Sequence, residues 1–136
     1  MPTPRIARVD EAELFLEALV AAYALMAHAD GEFAASERRC LLSIVCDTPA
    51  LDTITRDDAE ALADRYEAHF NIDPESAEHA AWERLDLIVG HRRAVDVLVA
   101  ACRELIAADG IGHPAEYRML AAIMMRLGVA GSAQHA

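Results

Sequence analysis

Aromatic residues are scarce, at 5% of 136 residues, and valine and isoleucine nowhere gather into alternating runs. Both absences weigh against a sheet, because half-buried strands draw on β-branched and aromatic side chains at a period of two. A membrane-spanning helix needs about 20 consecutive apolar residues. The longest such run here, Ala18 to Ala27, is bounded by Glu17 and His28 and reads as a core helix. No basic n-region of a secretory signal is visible. Met1-Pro-Thr-Pro-Arg leads instead into Asp10-Glu11-Ala12-Glu13, so a cytoplasmic location is expected.

Cysteine is limited to Cys40, Cys46 and Cys102, with no Cys-x-x-Cys. Cys40 and Cys46 fall on one predicted helix with about 9 Å of rise between them, too far to bridge. All three are expected to be small buried hydrophobes in a reducing compartment. The motifs of hydrolytic chemistry are missing as well. The histidines (His28, His69, His79, His91, His113 and His135) show neither His-x-x-x-His nor His-Glu-x-x-His spacing, and no Glu-x-x-His of a di-iron bundle occurs. No serine lies in a Gly-x-Ser-x-Gly context. Catalysis is therefore not expected.

Positive charge is also short. The formal net charge is −11, with acids spread along the chain, and Arg38-Arg39 and Arg92-Arg93 are the only basic doublets. A nucleic-acid binder needs a positive face to displace phosphate counterions, so that class is excluded. The doublets read as solvated helix faces or partners of nearby carboxylates.

What is present is alanine-rich, 54% hydrophobic and punctuated like a set of helices. The expected fold is all-α, a single domain of six helices, or seven if residues 48 to 53 form a short turn. Asp10-x-x-Glu13 resembles a capping box opening the first helix, which Gly31 closes. A second helix is expected from Ala35 to Cys46, stopped by Asp47-Thr48-Pro49, and a third from Thr55 to Phe70. The fourth starts at Asp73-Pro74 and runs towards Gly90. The fifth spans Arg92 to Ala108, and the sixth opens at Pro114 and closes at Gly128. Residues 130 to 136 are expected to fray. Trp82, Tyr66 and the methionines Met119, Met124 and Met125 read as core.

A shift of 79 residues superimposes part of the chain on itself, with 11 identities in the 27 positions from 19 to 45. Leu19-Val20-Ala21-Ala22 lies over Leu98-Val99-Ala100-Ala101, and Ala29-Asp30-Gly31 over Ala108-Asp109-Gly110. Glu37 lies over Glu116. Repeat copies at about 14–46 and 92–128 are expected to pack about a pseudo-twofold axis.

Asp30 and Asp109 are the unusual residues of the repeated motif. Each ends a helix, where the macrodipole disfavours a carboxylate by roughly 0.3–1 kcal/mol. Loop amides can offset that in an Asx-type turn, or a cation can do so together with the helix-end carbonyls. Glu37 and Glu116 fall in first turns, where negative charge is favourable in any case; His28 and His113 flank the loops and could add a ligand, but are expected as solvated or helix-terminal side chains. The Gly-to-Glu spacing equals that of the second half of an EF-hand loop. The first half is absent, with Met26 and His28 in one copy and Leu105 and Ala107 in the other where acids belong, so neither loop is an EF-hand.

Ala29-Asp30-Gly31-x5-Glu37 and Ala108-Asp109-Gly110-x5-Glu116, each after an alanine-rich helix, together with Leu127-Gly128-Val129, resemble the TerB family of tellurite-resistance domains. The resemblance covers about residues 12 to 129 and is loose from 47 to 90. It implies a compact helical, non-enzymatic module of a stress system, with Asp30, Glu37, Asp109 and Glu116 as metal-binding acids. It also implies a divalent cation, calcium, magnesium or manganese before zinc, and a protein partner in systems near membranes, without insertion of this chain. Gly112-His113-Pro114 makes the second loop differ from the first. The other reading is a protein-interaction scaffold whose acidic surface docks a basic partner and whose loop acids are purely structural.

Overall fold

The computed structural model describes residues 3–108 and 113–129, with side chains from residue 11 onward. Six α-helices and one 3-10 turn occupy the described residues, and no strand occurs among them. The helices are α1 (Thr3–Asp30), α2 (Ala35–Asp47), α3 (Arg56–Ile72), α4 (Pro74–Asp86), α5 (Arg92–Ala107) and α6 (Pro114–Arg126), with the 3-10 turn at Pro49–Leu51.

Helix α1 is the axis of the fold. Every residue from Ala18 to Ala27 is buried, so this stretch is covered on all sides, as an apolar helix without a polar face must be. Alanine at Ala18, Ala21, Ala22 and Ala24 lets neighbouring helices approach closely while Leu19, Tyr23 and Leu25 fill the gaps between them. α3, α4, α5 and α6 all pack on α1, and α2 joins chiefly through α3 and α5. The stretch Glu11–Asp30 is long and apolar enough in composition to cross a membrane, yet 72% of its 18-residue apolar window is buried inside the protein.

The helix ends follow their local chemistry. Gly31, at φ +86°, closes α1 in a Schellman motif, its N–H donating to the His28 carbonyl and that of Glu32 to the Ala27 carbonyl. Gly128, at φ +80°, ends α6 in the same way through Val129 and the Met124 carbonyl. Thr55 caps α3 by accepting from the Asp58 amide, and Asp73 caps α4 by accepting from Ser76.

Several expectations are corrected. α1 starts at Thr3 rather than at Asp10, because Pro4 fits a first turn and nothing between Pro4 and Asp10 breaks a helix. α4 stops at Asp86, and the chain turns through Leu87–Gly90 before α5. Only Cys102 is fully buried; Cys40 is partly covered and Cys46 is exposed at the end of α2. Met125 faces solvent, and Trp82 is half-buried under the Arg126 guanidinium, 5.2 Å from the ring centroid. The expected tail at 130–136 lies outside the described residues.

Candidate functional site

The first loop hangs from the C-terminal end of α1. Phe33 pins it, its ring 6.1 Å from Tyr23 and 6.2 Å from Phe70. His28, on the last turn of α1, is exposed and stacks on Phe70 at 4.7 Å. Asp30 is largely covered, with 14% of its side chain exposed, and its Oδ1 lies 3.4 Å from Nδ1 of His113. His113 is the N-cap residue of α6. The end of α1 and the N-cap of α6 therefore meet, and a histidine faces the acid. His113 is thus helix-terminal, as expected, and in addition lies against Asp30.

The starts of α2 and α6 have matching geometry. Their N-cap residues, Ala34 and His113, adopt φ −72°, ψ 142° and φ −73°, ψ 141°, and neither supplies a side-chain cap. Glu37 and Glu116 sit at the third position of the respective helices. Both are buried, at 3% and 1% exposure, and they are the only charged side chains buried among the described residues. Oε1 of Glu116 has no hydrogen-bond partner there.

That burial reverses the weight given to these acids. A first-turn glutamate is unremarkable in solvent, but removing an ionised carboxylate from water costs several kcal/mol, even after relaxation, unless partners compensate it. A helix N-terminus offsets part of that cost through its free amides and positive dipole end. Local charge logic places a glutamate here. It does not foresee which neighbouring helices will cover the position.

Asp109 and Gly110 lie outside the described residues, so the four predicted acids are placed only in part: Asp30, Glu37 and Glu116. Among the described residues, no three His, Cys, Asp or Glu side chains gather into a group able to hold a metal ion.

A polar network ties the same end of α1 to α2 and α3. Nε of Arg38 donates to the Tyr23 hydroxyl at 3.2 Å, while its terminal nitrogens reach Asp64 and Glu67 on α3, each at 2.8 Å. Burial pushes the Tyr23 phenol up, opposed by the Arg38 hydrogen bond. Burial would lower the pKa of Arg38, but its bonds to Tyr23 and Asp64 raise it overall. Arg38 is thus a partner of carboxylates on another helix, whereas Arg39 is exposed.

A helical domain with an acid at the end of α1 and buried glutamates in the first turns of α2 and α6 defines a class of small all-α modules. The chain belongs to the TerB family: the family model described as "Tellurite resistance protein TerB" matches residues 16–136. No curated protein matches the chain, and no solved structure matches it.

Proposed function

We propose that this protein is a non-enzymatic, cytoplasmic module of a tellurite-resistance-type stress system and that the acids of its duplicated Asp-Gly-x5-Glu motif take a divalent cation. The observation that carries this reading is the buried Glu116 carboxylate with its unpartnered Oε1. A hard cation is the natural partner for such an oxygen, since calcium, magnesium and manganese bind carboxylate and carbonyl oxygens together. Asp30, at the end of α1, and Glu37, in the first turn of α2, are the further carboxylates of the motif, and Asp109 joins them by sequence position alone. The four acids of the motif offer oxygen ligands only, which favours these ions over zinc.

One observation favours a second reading, in which the acids are structural and the domain is a scaffold for a protein partner. His113 already faces Asp30, so that carboxylate has an offset without any ion.

Thermal melts in chelator, then with millimolar calcium, magnesium, manganese or zinc, separate the two. A bound ion at a hundred times its Kd stabilises the fold by about 2.7 kcal/mol. The expected result is a rise in Tm with an oxygen-preferring ion that is lost in Glu116→Gln and reduced in Asp30→Asn. Glu116→Gln should also be at least as stable as wild type in chelator, because it neutralises an undercompensated buried charge. No shift with any of the four ions would leave the scaffold reading standing.

A further inference from the structure

Away from the loops, the protein has an open groove of about 570 Å³ between residues 11–15 of α1, the 3-10 turn and the start of α5. We propose that this groove docks an amphipathic helix of a partner protein whose apolar stripe is flanked by acidic residues on the side that meets α5. The proposal is independent of the cation site, which lies about 24 Å away along α5, at 1.5 Å per residue.

The floor is apolar, with Phe15 and Ile88 buried in it. Leu14, Leu87 and Val97 line it with 39%, 45% and 40% of their surface facing water. Large apolar side chains left open at the mouth of a groove are what an incoming helix covers with anchors at i, i+3, i+4 and i+7.

The rims identify the occupant by charge. Along one side α5 presents His91, Arg92 and Arg93, all exposed. Neither arginine makes an ion pair among the described residues, in contrast to Arg38, Arg84 and Arg126, which are all engaged with carboxylates. His91 provides no side-chain cap, so the first amides and the positive dipole end of α5 add to the same rim. The acids of the lining, Glu11 and Asp52, stand on other elements, α1 and the residue after the 3-10 turn. A polarised groove of this kind selects a helix with Asp or Glu on its α5 flank and Lys or Arg on the other, and fixes its direction. The net charge of −11 disfavours both a second copy of this chain and an anionic lipid surface as the occupant.

The test uses a labelled synthetic helix of roughly 18 residues, about five turns, with a leucine stripe, glutamates on one flank and lysines on the other. Binding to the full chain is followed by fluorescence anisotropy and by methyl chemical shifts. The expected result is saturable binding that perturbs the Leu14, Leu87 and Val97 methyls. Arg92→Glu/Arg93→Glu should weaken it by at least about tenfold with Tm unchanged, and Val97→Asp should abolish it. The doubly reversed variant should instead prefer a peptide carrying lysine on both flanks. Four results would each overturn the proposal: no binding, equal binding of the all-lysine peptide by wild type, displacement of the peptide by dodecanoate acting at the same methyls, or self-association of wild type that Val97→Asp removes.

Discussion

Asp30, at the end of α1, and His113, the N-cap of α6, face one another at 3.4 Å although the sequence places them far apart. The contact joins the end of α1 to the start of α6, and so couples the acid of one Asp-Gly motif to the helix start that follows the other. Asp30 is mostly covered while His113 is more open, so the pair lies between a screened surface contact and a buried one.

A double-mutant cycle in chelator tests that coupling. Asp30→Asn and His113→Gln are each expected to lower stability, and the double variant by less than their sum, with a coupling of about 0.2–1 kcal/mol. Strict additivity would show that proximity there carries no energy. Guanidinium denaturation followed by far-UV circular dichroism provides the measurement, with the salt concentration held fixed.

Arg38 is expected to be the most costly single polar residue to remove. Arg38→Ala frees the Tyr23 hydroxyl within a buried environment and cuts both ties from α2 to α3. The loss should be about 1–3 kcal/mol. Tyr23→Phe in the Arg38→Ala background should recover part of it, because no hydroxyl is then left without its partner. If Arg38→Ala melts with the wild type, the network is incidental.

Much of the fold was legible in punctuation. Pro74 and Pro114 at first helical positions, Thr55 and Asp73 as caps, and Gly31 and Gly128 as closures act through local chemistry that a sequence carries within a few residues. The burial of Glu37 and Glu116, the approach of His113 to Asp30, the exposure of Cys46 and the half-covered face of Trp82 depend on which helices pack over those positions. The motif itself is visible in the sequence. Dipole reasoning singles out Asp30 and Asp109, and burial adds Glu37 and Glu116, residues that would be ordinary on an exposed helix.

Asp86 should contribute a small, pH-dependent part of the stability. Hydrogen bonds from Arg126, at 2.8 and 3.0 Å, hold its carboxyl below the ordinary carboxylate range. A folded pKa lower than the unfolded value near 3.9 means that the contribution is full above that value and fades as pH falls through the folded pKa. Asp86→Asn should therefore melt lower than wild type at pH 6, and the gap should close on acidification below about pH 4. Because both partners are well exposed, added salt should shrink the gap at pH 6 as well. A gap that persists at low pH would assign the effect to packing under Trp82 instead.

Thiol reactivity should sort the three cysteines by their cover. Cys46 is exposed at the end of α2, so a disulfide reagent at pH 8 should modify it first. Cys40 is partly covered, and burial raises its pKa, with Glu104 and Glu37 adding to the rise; it should react more slowly. Cys102 is fully buried on α5, and burial pushes its thiol up to about 12, against a weak opposing effect of Arg103. At pH 8 its thiolate would amount to roughly one part in ten thousand even if the reagent reached it. The expected trace is one fast equivalent that Cys46→Ser removes, one slow equivalent, and a third that appears only with global unfolding. The rate of that third step should track denaturant as the unfolding rate does. Rapid modification of Cys102 in native buffer would mean that α5 separates from α1 far more readily than this packing allows.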